Sequence, residues 1–191
     1  ITGDGFFAQT PHPFPGDSYI VRDFCENQTE INTPVAVDVR EAMDHLAKHT
    51  TRIFKTLAEQ KEQEYLWPFS NPPYIMRESE IPIARYRDAE AEKQDYRYYL
   101  AERYGRYKMT FSGIHFNYSF SEELLRADFE AKGEKDYRSY KDRFYVSLAG
   151  KAQIYNWLIV AVTAASPLLD SSYVEKGVCG RDVFNGMGKI G

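Results

Sequence analysis

An acidic stretch near the N-terminus offers the clearest side chains for binding a metal ion. Asp23, Glu26 and Glu30 lie close together in sequence, and carboxylate oxygens are the ligands that Mg²⁺ prefers. Alternating residue types over 26–34 predict an extended segment in which Glu26 and Glu30 share one face. A row of acidic side chains is also typical of a solvated sheet edge, so the residues alone leave both interpretations open.

A second candidate segment runs from Lys108 to Phe120, where alternation predicts the clearest β-strand of the chain. Met109, Phe111, His115 and Asn117 fall on one face of this strand and should border the same pocket. An imidazole can bind a metal ion, but a single histidine on a strand more often has a structural role. The segment is therefore a candidate site wall.

Other reactive residue types give weaker signals. His45 and His49 are spaced i and i+4 on a predicted helix, but no third ligand accompanies them, which favours a solvated helix face. Cys25 and Cys179 lie far apart without a CxxC partner, so neither a disulfide framework nor a structural zinc site is indicated. Cys25 is best interpreted as a small apolar core residue.

Composition narrows the class of protein. The 191 residues are 43% hydrophobic and 27% charged, with a net charge of −4, and this is the balance of a soluble domain with one core. The charge argues against nucleic-acid binding. The longest apolar run, residues 157–165, is too short to span a bilayer and predicts a buried helix. A reducing cytoplasm is expected, and the opening Ile1 suggests a fragment or a processed chain.

Several helices are predicted between the extended segments. Asp38 is a good N-cap, and Glu41 completes a capping-box-like start. Because strands and helices do not alternate in βαβ fashion, the fold class is α+β with an antiparallel sheet. The predicted helices cover about residues 38–63, 88–105, 121–132 and 136–165, with a proline-rich loop over 66–87.

A series of short motifs, in a fixed order, resembles the bacterial glutamate–cysteine ligases, including the ligase half of the bifunctional glutathione synthases. The motifs extend over about residues 5–175. They are Ala8-Gln9-Thr10-Pro11-His12-Pro13; Asp23-Phe24-Cys25-Glu26 with Glu30 and Thr33-Pro34; Glu64-Tyr65-Leu66-Trp67-Pro68-Phe69-Ser70-Asn71-Pro72-Pro73; Ile83-Ala84; Asp95-Tyr96-Arg97 with Tyr99-Leu100; Arg103-Tyr104-Gly105; Ser112-Gly113-Ile114-His115-Phe116-Asn117; and Ala165-Ser166-Pro167.

The resemblance implies both a fold and a reaction. It implies part of a glutamine-synthetase-like antiparallel sheet funnel with long packing helices, in which Mg²⁺ ions sit between ATP and the amino-acid substrate. It implies ATP-dependent ligation of the γ-carboxylate of glutamate to the amine of cysteine, through a γ-glutamyl phosphate, as the first step of glutathione biosynthesis. Glutamate, cysteine and ATP are the expected small-molecule partners, with no membrane partner.

The resemblance also assigns residues. By family position, Asp23, Glu30 and His115 match ligands of the Mg²⁺ centre. Tyr96 and Leu100 match positions that line the glutamate pocket. Such a centre suits phosphoryl transfer, because the negative charge of several phosphate oxygens must be neutralised.

Departures from the family pattern leave alternatives open. Residues 1–177 correspond to part of the catalytic domain, whereas 178–191 match poorly. The family's Glu-x-Glu metal-binding strand is absent from this sequence, so the chain alone is expected to be inactive. Asn71 stands where the family usually has Met, and Met109 stands where it usually has Gln, which predicts altered glutamate binding. The alternatives are a truncated, non-catalytic binding module and a related carboxylate–amine ligase with another amino-acid pair.

Overall fold

The computed structural model describes residues 1–86 and 90–164, together with Asp170 and Tyr173. These residues divide into two units. The first contains residues 1–113 with Asp170 and Tyr173, and the second contains residues 114–164. The motif Ala165-Ser166-Pro167, Cys179 and the predicted tail at 178–191 lie outside the described residues.

The sheet of the first unit is a short antiparallel hairpin. Strand β1 (Ile20–Arg22) pairs with β2 (Thr29–Ile31), with Ile20 opposite Ile31 and Val21 opposite Glu30. It is the one sheet among the described residues. With the helices described below it confirms the α+β class, and the wider sheet funnel stays a prediction.

Helix α1 (Val39–Glu59) begins where local hydrogen bonding favours it. The Asp38 side chain accepts a bond of 2.9 Å from the Glu41 amide, and the Glu41 side chain accepts one of 2.8 Å from the Val37 amide. These bonds satisfy amide groups that a helix N-terminus leaves unpaired. The predicted start is confirmed, and the helix ends before the predicted Gln63.

The core of the first unit is formed in part by the proline-rich loop itself. Its buried cluster consists of Phe24, Cys25, Ile75, Ile81, Ile83, Tyr107 and Tyr173. The Tyr173 and Thr110 hydroxyls are hydrogen-bonded at 2.8 Å. Cys25 is 1% exposed, which confirms its core role, and burial raises the pKa of its thiol above the ordinary value. Helix α2 (Ala91–Tyr104) packs Leu100 and Ala101 against this cluster.

The predicted strand from Lys108 to Phe120 is wrong. Tyr107–Thr110 forms a 3₁₀ helix, and residues 111–120 belong to no strand. A strand requires a hydrogen-bonded neighbour. Among the described residues, one backbone hydrogen bond joins this segment to a distant part of the chain, from the Ser112 amide to the Ser70 carbonyl at 2.9 Å. The sequence of this segment alternates between residue types as a strand does, but no described strand lies beside it to form a sheet.

The second unit is built around a helical hairpin. Helix α3 (Glu122–Ala131) is capped by Ser121, and α4 (Tyr137–Ile154) is capped by Asp136. Gly133 adopts a φ of 64° in the connection, a conformation that glycine tolerates best. Aromatic rings fill the contact between the helices, and they include Phe120, Phe129, Tyr137, Tyr140, Phe144 and Tyr145.

The prediction of one long helix that enters the core is also wrong. The chain breaks at Tyr155, after which α5 (Asn156–Thr163) begins. The apolar side chains of α5 are exposed, from 48% for Leu158 to 76% for Val162. An apolar helix is buried only when another part of the protein packs against it, and no described residue covers these side chains of α5. No helix in the described part of the chain is long and apolar enough to cross a membrane.

Candidate functional site

The β1–β2 hairpin places two of the predicted metal ligands on one face. Val21 is opposite Glu30, and the ladder continues with a 3.0 Å bond from the Asp23 amide to the Gln28 carbonyl. Cross-strand partners share a face, as do residues two apart on one strand. Extended by one residue beyond β1, this register makes Asp23 and Glu30 diagonal neighbours, a relation that separates Cα atoms by about 7–8 Å.

The two carboxylates differ in their surroundings. Glu30 is exposed and accessible from solvent, whereas Asp23 is half-buried at the end of β1. The Asp23 carbonyl accepts a bond of 2.5 Å from Arg97 Nε on α2. The hairpin face thus presents one half-buried and one exposed carboxylate, which is an oxygen donor set that suits Mg²⁺.

Glu26 does not join these carboxylates, contrary to the predicted shared face. It lies in the turn between the strands and is 8% exposed. Its carboxylate accepts bonds from the backbone amides of His12, at 3.1 Å, and Arg85, at 2.7 Å, and pairs with Arg22 at 3.5 Å. The turn breaks the strand alternation, and these bonds give Glu26 a structural role.

His115 and Asn117 belong to the second unit, where both are exposed. Asp23 and Glu30 belong to the first unit. No group of three His, Cys, Asp or Glu side chains suited to a metal ion occurs within the described part of the chain. A joint site of Asp23, Glu30 and His115 stays a prediction.

The predicted substrate-binding residues have different environments. Leu100, Met109 and Phe111 pack, partly buried, against the core cluster of the first unit. Tyr96 is 59% exposed on α2, with its ring 6.4 Å from that of Tyr99. Three of these side chains therefore lie on one packed surface, and their role in binding glutamate stays a prediction.

The helical histidine pair corrects another expectation. His45 is partly exposed on α1, but His49 is 4% exposed and its ring lies 5.0 Å from that of Tyr19. Burial lowers the pKa of His49. The prediction that His49 lies on a solvated helix face is therefore wrong, because Tyr19 covers this turn of the helix.

The Trp-Pro motif borders a cavity beside the hairpin. The cavity has a volume of about 140 Å³, and its lining includes Asn27, Gln28, Trp67, Phe69 and Ser112. Gln28 Nε2 donates to Ser112 Oγ at 3.0 Å, and Trp67 Nε1 donates to the Asn71 carbonyl at 2.6 Å. This motif therefore packs the loop and also shapes a concave surface.

Sequence reasoning missed two residues that contact the hairpin. Arg97 stands in a quoted motif without an assigned role, and Tyr86 lies in the proline-rich loop with no local signal. Both contact Arg22, which immediately precedes Asp23. Arg97 follows Tyr96, a residue assigned to the glutamate pocket, and this adjacency is the only sequence signal for it; nothing in the sequence indicated Tyr86.

Comparison with known proteins agrees with these motifs. The family model described as glutamate-cysteine ligase matches residues 1–186. The chain is 41% identical over 182 residues to the glutathione biosynthesis bifunctional protein GshAB of Clostridium perfringens (strain 13 / Type A), covering 92% of this chain and 23% of that protein. It is 36% identical over 183 residues to the GshAB protein of Listeria innocua serovar 6a, covering 92% and 23%.

A shorter relative gives the same result. The chain is 37% identical over 183 residues to the glutamate–cysteine ligase of Clostridium acetobutylicum, covering 91% of this chain and 37% of that protein. The chain thus spans about a quarter to a third of the length of these relatives. Because the family model matches nearly all of its residues, the chain belongs to the glutamate–cysteine ligase family.

Proposed function

We propose that this chain forms part of the catalytic domain of an ATP- and Mg²⁺-dependent ligase that joins the γ-carboxylate of glutamate to the amine of cysteine. The family membership supports the ligation reaction. The geometric observation that carries the proposal is the common hairpin face of Asp23 and Glu30, which follows from the strand register.

The proposed reaction has two displacement steps. A γ-carboxylate oxygen of glutamate attacks the terminal phosphorus of ATP, and the bond to the ADP oxygen breaks. The cysteine nitrogen then attacks the acyl carbon, phosphate leaves with the electrons of the C–O bond, and the nitrogen loses a proton. Positioning and charge stabilisation dominate such phosphoryl transfers.

The residues present fit Mg²⁺ as a partial ligand set. Asp23 and Glu30 offer hard oxygen donors, and Glu30 is exposed towards solvent. Mg²⁺ is commonly held by one or two carboxylates, with phosphate and water completing six positions. When bound, the ion neutralises phosphate oxygens. Asp23 and Glu30, with His115 as a third predicted ligand, are the residues of this chain that would hold it.

The glutamate pocket is proposed to include Tyr96, Leu100, Met109, Phe111 and Asn117. Met109 packs against the apolar cluster and offers no strong hydrogen-bonding group. Weakened or rearranged glutamate binding is therefore part of the proposal. A cytoplasmic location is also proposed, supported by relatives that are named for glutathione biosynthesis.

A chimera tests this function. The chain would replace the matching 182-residue segment of the Clostridium perfringens GshAB protein, and phosphate release would be followed with glutamate, cysteine, ATP and Mg²⁺. We expect cysteine-dependent release that falls at least a hundredfold in both Asp23→Asn and Glu30→Gln. Glu62→Gln, a change at an exposed glutamate outside the hairpin, should retain the parent rate.

The same assay separates the alternatives. A folded chimera without turnover would contradict the proposal and favour a non-catalytic binding module. Release that depends on another amine, with cysteine inactive, would favour a related carboxylate–amine ligase.

A further inference from the structure

Three side chains form a cluster beside the end of β1. The guanidinium carbons of Arg22 and Arg97 lie 4.4 Å and 4.6 Å from the centroid of the Tyr86 ring. Contacts of this kind are attractive, because the ring face carries negative charge density. We call Arg22, Tyr86 and Arg97 the Tyr86 cluster.

The cluster also binds the backbone at the point where Asp23 leaves the strand. The Tyr86 hydroxyl donates to the Arg22 carbonyl at 3.0 Å. Arg97 Nε donates to the Asp23 carbonyl at 2.5 Å, and Arg97 Nη2 donates to the Arg22 carbonyl at 3.3 Å. Two consecutive carbonyls therefore accept bonds from residues distant in sequence.

The hydrogen bonds from Tyr86 and Arg97 reach carbonyl groups to which the backbone of the hairpin does not donate. The Gln28 amide, which lies opposite Asp23, donates to the Cys25 carbonyl at 3.1 Å. The Asp23 carbonyl is thus left to accept from Arg97. Since Arg22 forms a non-hydrogen-bonded pair with Thr29, its carbonyl points away from β2. Tyr86 occupies this outward position.

A buried carboxylate compensates for the charge of one of the two neighbouring guanidinium groups. Arg22 pairs with Glu26, whose position is fixed by the His12 and Arg85 amides. The Tyr86 amide donates to Gln94 Oε1 at 2.9 Å, which ties the Tyr86 backbone to α2. The cluster therefore connects the hairpin, the proline-rich loop and α2.

We propose that Tyr86 is a positioning residue that holds Asp23 in one backbone and side-chain conformation. The value of this conformation for Mg²⁺ binding rests on the proposed function. Tyr86 touches no substrate; it acts on the Arg22 carbonyl through its hydroxyl, and on the Asp23 carbonyl only through Arg97, whose guanidinium lies over the Tyr86 ring. Its effect should therefore be local to the end of β1.

The test uses the 191-residue chain in solution, without metal. NMR would measure hydrogen exchange at the Asp23 amide, which bonds to Gln28, and the χ1 rotamer of Asp23 through scalar couplings. We expect Tyr86→Phe to raise exchange at Asp23 about three- to tenfold, the worth of one hydrogen bond, and to average the χ1 couplings. Arg97→Gln, a second variant that removes the bond to the Asp23 carbonyl, should do the same.

Two controls separate positioning from general stabilisation. The Asn32 amide bonds to the Tyr19 carbonyl at the opposite end of the hairpin, and its exchange should not change. Tyr99→Phe is the matched variant, because Tyr99 also binds an arginine, Arg103 at 2.6 Å, but only along α2. Equal acceleration at Asn32 and Asp23, or no acceleration at Asp23, would overturn the proposal.

A Mn²⁺ titration of the same samples keeps the two proposals distinguishable. Mn²⁺ binding in the parent chain that weakens about three- to tenfold in Tyr86→Phe would support both. Unchanged affinity in that variant would overturn the link from Tyr86 to the metal site. A parent chain that binds no Mn²⁺ at the hairpin would contradict the metal site, while exchange and χ1 still decide whether Tyr86 positions Asp23.

Discussion

Asp17 shows how one side chain can fix a loop. Its carboxylate accepts bonds from the Tyr19 and Ile20 amides at 2.8 and 3.0 Å, and pairs with Arg52 on α1 at 2.5 Å. The bond from the Tyr19 amide, followed by the bond from Arg52, lowers the Asp17 pKa from 3.8 to about 2. The loop before β1 is thereby tied to the first helix.

This lowered pKa sets a direction for pH dependence. Because the folded pKa lies below the unfolded one, the stabilisation is present above about pH 4 and is lost as the pH falls towards 2. We expect Asp17→Asn to lower the free energy of unfolding by about 1 kcal/mol at pH 7. Urea unfolding at several pH values would measure both effects.

The exposed Asp4 provides the control. Asp4→Asn should leave both the stability at neutral pH and its acid dependence close to those of the parent. An Asp17 variant with the parent's stability at pH 7 would show that the loop does not depend on this carboxylate.

At the scale of residues, local chemistry was predictable and distant chemistry was not. Asp38 and Glu41 were identified as a helix start because their bonds span only a few positions. Tyr86 contacts Arg22 across a sequence separation of 64 residues, and no spacing rule indicates such a pair. Glu26 was misassigned because a turn, not a strand, determines its direction.

Among the helices and strands, too, features set by local sequence were predicted and features set by distant contacts were not. The helices beginning near Asp38, Ser121 and Asp136 were predicted, the first from its N-cap, and the structure shows a capping side chain at the start of each. The strand predicted over Lys108–Phe120 is absent from the structure, because a strand forms only where a neighbouring strand pairs with it. Residue alternation alone therefore overestimated the sheet.

Removal of a cap tests the helix assignment. Asp38→Ala should lower the free energy of unfolding by about 1 kcal/mol, since the Glu41 amide loses its acceptor. Asp44→Ala, at an exposed site within α1, should change it by less than about 0.5 kcal/mol. Equal effects in the two variants, measured by urea unfolding, would show that Asp38 does not act as a cap.

The exposed apolar surface of α5 predicts self-association of the isolated chain. Trp157, Ile159 and Val162 are 68%, 53% and 76% exposed, and exposed apolar surface favours association. The double variant Ile159→Lys with Val162→Glu should reduce association in sedimentation velocity without lowering the melting temperature by more than a few degrees. This change leaves the net charge unaltered.

A charge-matched control uses polar sites near the same helix. Gln153→Lys with Asn156→Glu, both at exposed positions, should leave association unchanged. If the α5 variant associates as strongly as this control, another surface is responsible.

At the scale of the whole molecule, the order of motifs carried the prediction. Separate segments from Ala8 to Asn117 suggested one family, and the family match over residues 1–186 confirmed it. Family position names Asp23, Glu30 and His115 as metal ligands, and the hairpin register supports the shared face of Asp23 and Glu30. The part of His115, which belongs to the second unit, stays a prediction.

The central claim is that Asp23 and Glu30 together bind a divalent cation. Mn²⁺ titration of the 191-residue chain, followed by paramagnetic broadening of amide resonances, tests it most directly. We predict that Asp23, Gln28 and Glu30 broaden first, and that Glu30→Gln raises the Mn²⁺ concentration needed by about tenfold, whereas Glu62→Gln does not. Broadening that begins at other acidic residues, such as Glu78–Glu80, and that is unaffected by Glu30→Gln would contradict the account.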